Sequence, residues 1–362
     1  MKILLGATAV AAVVGLACTA QAAEFKMSHV RPQGATIDVE LKDFAKSVKD
    51  ATGGDIDIQI FAASALGDYT VVQEAVSVGA IDMATQPAAT GTDRQMQIAS
   101  FPYLATNWNE ARKIYGPDGI LHSTMAELYA KQDITMLAAY PVYFGGISLN
   151  RDPVDPGDPS KSNGIKVRVP GIKSFQLTGE ALGYIPAPIP FSEAFTAIQT
   201  GVVDGVIGSG AEGYYASFRD VTKSYIPANT HFEVWFMIIS NESLASLDAE
   251  DQETLKKAAA DFEAQRWIVA EEDQGKWEKR LADELGTNVV ELTDAQLAAM
   301  GAKVRQDVWR RCSPTSMRNG ASTSWTRPGT KHPAFNRTRT ICFQGPPPGR
   351  QQVCRPEFQA HA

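Results

Sequence analysis

A single arginine stands inside an otherwise apolar run, Lys166-Val167-Arg168-Val169-Pro170. The run is short and β-branched and stops at Pro170-Gly171, so it reads as a strand opening onto a turn. Arginine keeps its charge in a protein, and a guanidinium on a buried strand needs an anionic partner. No acid stands at an obvious pairing offset. Glu193 and Asp204 are the internal candidates for a salt bridge. The other candidate is an external carboxylate, which a guanidinium holds through two parallel hydrogen bonds.

No catalytic set accompanies it. His29, His122 and His231 lie far apart without HExxH spacing, and no GxSxG elbow, P-loop or GxGxxG occurs in the body. Between Ala23 and Trp309 there is no cysteine, so neither a disulfide nor a thiolate metal site holds this region together. Nothing in the pattern implies an enzyme, a cofactor or a metal.

The net charge of −7 averages two regions. Residues 310–362 hold eight arginines and one lysine against a lone Glu357, a net +8 that leaves −15 for the rest. An acidic body argues against nucleic acid, and an acidic protein that binds an anion needs a local positive focus.

Both ends differ from the body. Lys2, the apolar run Ile3–Leu16 and Ala20-Gln21-Ala22 read as a signal peptide over residues 1–22, cleaved near Ala22/Ala23. A soluble, exported product is expected. After Trp309 the apolar periodicity ends, and residues 310–362 are rich in Arg, Pro, Ser and Thr. Two readings stand: a disordered basic extension, or an out-of-frame translation. Back-translating Arg310–His332 and reading two bases later permits an acidic amphipathic helix, as the end of such a domain would have.

Strands are predicted over residues 25–30, 55–61 and 81–85, with helices over 37–52 and 69–78 between them. Strands over 134–139 and 143–150 lead to a loop over 152–162, after which a second α/β unit begins at Gly164. A strand over 234–240 returns to the first sheet, and a long helix over 249–285 has Asp248 as its N-cap. Alternating strands and helices imply mainly parallel sheets. The expected architecture is a bilobed α/β fold with a cleft. Residues 23–145 plus 234–273 form one domain, residues 146–233 plus 274–309 the other, and 310–362 a separate tail.

Three ordered motifs carry a resemblance: Lys166–Pro170, Pro190-Phe191-Ser192-Glu193, and Ala197–Gly205. With weaker elements from about Phe25 to Trp309, the chain resembles the periplasmic solute-binding subunits of TRAP transporters, the dicarboxylate-binding DctP type. The resemblance implies a long helix spanning both domains, a small organic anion as ligand, and a permease of two membrane subunits driven by an ion gradient. A monomer in the periplasm is expected. Alternatives of the same bilobed plan are the binding protein of an ATP-driven importer and a ligand-presenting module for a sensor kinase.

The resemblance makes Arg168 the anchor for a ligand carboxylate and sets Phe191 against the ligand, where the residue pattern alone allows a core phenylalanine. Gly208 stands where many relatives place a ligand-touching asparagine, so Glu212, Tyr214 and Tyr215 are candidate replacements, and the other reading is that glycine here allows close backbone approach. His29 and Arg31, in the loop after the first strand, are candidates for the opposite wall. A structural hydrogen bond is the other reading of His29. Tyr69 could donate from a helix start, and Trp235 either lines the floor or belongs to the core. Many relatives carry a second arginine where this chain has Phe144-Gly145-Gly146. The absence of that clamp puts a C4-dicarboxylate in doubt and favours a monocarboxylate, a sulfonate or a zwitterion.

Overall fold

The computed structural model describes residues 22–312. The expected signal peptide, up to residue 21, and residues 313–362 lie outside the described residues. Two mixed sheets organise the body. The first contains β1 (Ala23–Ser28), β2 (Ile56–Phe61), β3 (Met83–Gln86), β4 (Ile134–Phe144) and β10 (Phe232–Ser240), in the order β2-β1-β3-β10-β4. The second contains β5 (Gly146–Leu149), β6 (Lys166–Val169), β7 (Ile185–Pro188), β8 (Gly205–Ser209), β9 (Ser224–Ile226) and β11 (Asn288–Val289), in the order β11-β9-β5-β8-β6-β7.

Helical crossovers make the neighbours of β1 and β6 parallel. In the first lobe the helices include α1 (Thr36–Ala51), α2 (Tyr69–Ser77), α3 (Trp108–Tyr115) and α4 (Ile120–Ala130). In the second they include α5 (Lys173–Ala181), α6 (Phe191–Gln199) and α7 (Ala211–Phe218). The sheets are less parallel than the alternation of elements implies, because one strand in each runs against both its neighbours. β10 is antiparallel to β3 and β4, and β5 to β8 and β9. Every residue of β10 is buried, as expected of a central strand covered on both faces.

The strands and helices expected from the sequence match observed ones closely, except at the crossing between sheets. The sequence predicts a break before Tyr143. Instead β4 continues to Phe144, and Pro141 is accommodated beside a register shift between Phe232 and Val234 of β10. The chain leaves the first sheet at Gly145 and enters the second at Gly146.

After the short α8 (Asn241–Ala245), α9 (Ala249–Leu285) spans both lobes. Asp248 caps it by accepting from the Asp251 amide at 2.9 Å. Arg266 of α9 donates to the Pro141 carbonyl of β4, while Arg280, further along, donates to the Tyr215 hydroxyl of α7. One continuous helix therefore ties the two lobes. α10 (Asp294–Val304) opens on a capping box between Thr293 and Gln296. The helical path continues through Trp309, whose indole donates to the Pro102 carbonyl, and includes Arg310–Cys312, with Cys312 buried in the same core. It thus runs three residues past the boundary that composition suggests.

Candidate functional site

β6 ends between the lobes, and there Arg168 is only 2 % exposed. Its Nε donates to the Ile189 carbonyl at 2.8 Å, which fixes the plane of the guanidinium and leaves both terminal nitrogens for another partner. Among the described residues it forms no ion pair. Asp204, one internal candidate, instead lies 3.9 Å from Arg151 and accepts from the Lys166 amide. Burial pulls the Arg168 pKa below the usual guanidinium value, against weaker opposing pulls from Tyr69, Tyr214 and Asp68.

Arg266 is the internal comparison. It is equally buried, and burial opposes its charge as well. Tyr140, Glu40 and Tyr143 nevertheless raise its pKa, with the Glu40 carboxylate at 3.1 Å. The fold therefore neutralises one buried arginine and leaves the other uncompensated.

Arg168 faces a cavity of about 50 Å³ whose walls come from both lobes. Arg31, Tyr69 and Trp235 line it from the first lobe, and Arg168, Phe191 and Gly208 from the second. The Phe191 ring lies between two guanidinium groups, 5.5 Å from Arg31 and 5.7 Å from Arg168. At Gly208 the backbone has φ of +138°, and a Cβ there would sit 3.4 Å from an Arg168 terminal nitrogen. The Pro170 ring carbons, 3.1 and 3.2 Å from such a Cβ, are closer still, so the backbone conformation and Pro170 favour glycine here, while the guanidinium would be in ordinary contact. An outer cavity of about 730 Å³ shares Tyr69, Arg168 and Ile172 with the inner one. It adds Arg94, Lys173 and Arg311 against the acid Asp68, which gives an acidic body a positive entrance.

Four sequence candidates do not line the inner cavity. His29 is fully buried and turns its Nε2 to Asp38 at 3.3 Å. Burial lowers its pKa despite that carboxylate. The Tyr214 hydroxyl faces the carbonyls of Gly146 and Val206, 2.9 and 3.1 Å away, tying α7 to β5 and β8. The Tyr215 hydroxyl instead accepts from Arg280 of α9. Glu212 lies behind Arg31, at 3.4 Å from its Nε.

Arg31 lines the wall, but its charge is taken up by the protein. Its Nη2 donates to Ser209 at 2.6 Å and to Glu233 at 3.3 Å. Glu233 in turn accepts from the Gly210 amide and the Trp235 indole. Burial pushes the Glu233 carboxyl up while Arg31 and Ser209 pull it down.

Sequence reasoning missed Glu233, His231 and Phe175, all of which line the cavity. Glu233 carries a usable signal: like Arg168, it is a charged residue in an apolar strand. His231 packs against Gly145. A Cβ on Gly145 would lie 2.5 Å from the His231 Nδ1, so that ring occupies the space a side chain would need. His231 is held by Thr230 at 3.0 Å and by an edge-on contact with Phe175 at 4.8 Å. Burial drops its pKa to about 3, which keeps it neutral.

Known proteins share this plan. A solute-binding protein of Roseobacter denitrificans is 27% identical over 309 residues, covering 83% of this chain and 91% of that one. A C4-dicarboxylate-binding periplasmic protein of Rhodobacter capsulatus is 26% identical over 300 residues, covering 82% and 88%. A TRAP periplasmic solute-binding protein of Haemophilus influenzae, solved with L-gulonate, superposes with a TM-score of 0.71 at 23% identity, covering 78% and 92%. The sequence profile of the bacterial extracellular solute-binding proteins, family 7 (DctP), matches residues 27–313. The chain belongs to that family, whose members are solute receptors rather than enzymes.

Proposed function

We propose that this protein captures a small organic anion in the periplasm by closing its lobes around Arg168, and delivers it to a two-subunit permease driven by an ion gradient. The observation that carries the reading is a buried guanidinium with both terminal nitrogens available to a cavity and no carboxylate of its own. The ligands named for two similar proteins, a C4-dicarboxylate and L-gulonate, are both organic anions and support it. The chain crosses between sheets near Gly145, near Phe232 and along α9, and we assign the hinge to these crossings. Arg168, Phe191 and Gly208 grip the ligand from one lobe, and Tyr69, Arg31 and Trp235 from the other. Contacts made only when both walls meet shift the population toward closure.

Calorimetry against a panel of organic acids tests the anchor. Arg168→Ala should weaken the tightest binder by about 2–5 kcal/mol, the range for truncating one partner of a buried charge pair. Arg168→Lys should fail nearly as badly, because an ammonium lacks the planar fork. Affinity of Arg168→Ala within about threefold of the parent would refute the anchor. Uptake by vesicles holding the membrane subunits, lost when the ion gradient is collapsed but not when ATP is removed, tests the partner.

A further inference from the structure

The unspent polar atoms of the cavity define its guest more narrowly. Arg31 donates through its Nε and Nη2 to Glu212, Ser209 and Glu233, and Glu233 also accepts from the Ser209 hydroxyl, the Gly210 amide and the Trp235 indole, so two carboxylates balance this guanidinium. Together these groups offer no net positive charge to a second anionic group. His231 is neutral and its Nδ1 is engaged by Thr230. What remains without a hydrogen-bond partner among the described residues is the pair of Arg168 terminal nitrogens, the Arg31 Nη1, the His231 Nε2 and two hydroxyls, on Tyr69 and Ser100. Tyr69 and Arg168 act on each other electrostatically and line both the inner and the outer cavity, so they stand at one end of the site. The rest of the wall is apolar, with Ala88, Pro170, Ile172, Phe175, Phe191 and Val234 prominent. The cavity, about 50 Å³, is small and adjoins the outer one through Tyr69, Arg168 and Ile172.

We propose that the site takes short monocarboxylates with an apolar body, the carboxylate on Arg168 and Tyr69 and the alkyl portion against Phe175 and Phe191, and that it rejects dicarboxylates and sugar acids. This rests on the reading of Arg168 as anchor and adds the ligand class. A second carboxylate in this cavity would meet only Arg31, already balanced by Glu212 and Glu233, and burying it beside them is penalised far more than burying an alkyl end. Each sugar hydroxyl beyond the reach of Ser100, the Arg31 Nη1 and the His231 Nε2 would be buried without a partner, at a cost of roughly tenfold in affinity. The proposal departs from the ligands named for the two relatives, a C4-dicarboxylate and L-gulonate. The physical reason is that, of the two guanidinium groups lining the cavity, only Arg168 lacks a carboxylate partner among the described residues.

The test is calorimetric titration of the full chain with butyrate, isovalerate, succinate and L-gulonate, followed by the tightest of them on Arg168→Ala. Butyrate and succinate share a four-carbon chain and differ at one end, so their ratio isolates the second charge. Butyrate or isovalerate should bind at least about tenfold more tightly than succinate and L-gulonate, and Arg168→Ala should lose at least about thirtyfold. A smaller preference, tighter binding of succinate or L-gulonate, or no binding of either monocarboxylate overturns the ligand class. If the preferred probe is succinate or L-gulonate and Arg168→Ala abolishes it, the class falls while the anchor stands. If Arg168→Ala binds the preferred probe within about threefold of the parent, the anchor itself falls.

Discussion

Arg168→Met separates an anchor that awaits a ligand from an arginine that serves the fold, because the two roles predict stability changes of opposite sign. A structural arginine neutralised by its own acid costs about 3–5 kcal/mol to remove, since a buried charge is left behind. Arg168 has no such acid, and its charge is disfavoured by burial. Removing it recovers an effective desolvation penalty of several kcal/mol. Against that stand the Ile189 carbonyl, which loses its donor at a cost of about 1–3 kcal/mol, and the contact with Phe191, worth roughly 0.5–2 kcal/mol. At the middle of these ranges the net is a gain of about 1 kcal/mol, raising Tm by roughly 2–3 °C. The same substitution should abolish ligand binding by calorimetry. Arg266→Met is the control: it breaks the pair with Glu40 and should lower stability by about 3–5 kcal/mol. Denaturant melts of the ligand-free protein check both. A loss of more than ~1 kcal/mol in Arg168→Met, with binding intact, would sink the account of an uncompensated charge.

His231 is the source of two other expected outcomes. Gly145→Ala drives a methyl into the His231 ring, which Phe175 and burial hold in place, so it should destabilise by about 1–3 kcal/mol. Adding His231→Ala should recover part of that loss, and strict additivity in thermal melts would show that the two residues do not collide. The second outcome concerns pH. The His231 pKa falls from an ordinary 6.5 to about 3 in the fold. The unfolded chain therefore binds the extra proton in this window, and stability falls as pH drops from 6.5 toward 3. Between about pH 7 and pH 5 the share from His231 should be about 2 kcal/mol, at ~1.36 kcal/mol per unit. His231→Gln should flatten the curve by that amount, and an unchanged slope would remove His231 as its source.

Much of the fold is legible because strand and helix periods alternate cleanly and turn residues separate them. The crossing at Gly145 is not, because Pro141 reads as a strand breaker and only the register shift in β10 makes room for it. Arg168 is legible for a different reason: a charge in an apolar strand contradicts its surroundings, and such contradictions concentrate at functional sites. Glu233, between Phe232 and Val234, presents the same contradiction. Phe175 sends no such signal, since an aromatic on an amphipathic helix belongs equally to a core. His29 and Tyr214 show the opposite limit. Their positions in loop and helix are as expected, but their direction depends on partners elsewhere in the chain. Asp38 on α1 holds the first, and the carbonyls of two strands hold the second.

Arg31 bears on how much a ligand must contribute to closure. It leaves the first lobe and donates through Nε to Glu212 and through Nη2 to Ser209 of the second, and the same Nη2 donates to Glu233 of β10. Gly213 makes the crossing feasible, since a Cβ there would collide with the Arg31 guanidinium and the Ser209 hydroxyl. These contacts join the lobes through the protein's own groups. Moving an equilibrium from about 1:99 to 99:1 requires ~5.5 kcal/mol of differential affinity. A single charge pair on Arg168, with burial of a short alkyl chain, supplies only part of that. On the proposed closure, Arg31 already bridges the cleft, so a small guest is expected to suffice. A chain with one clamp for an anion can therefore operate as a receptor for a ligand with one negative charge.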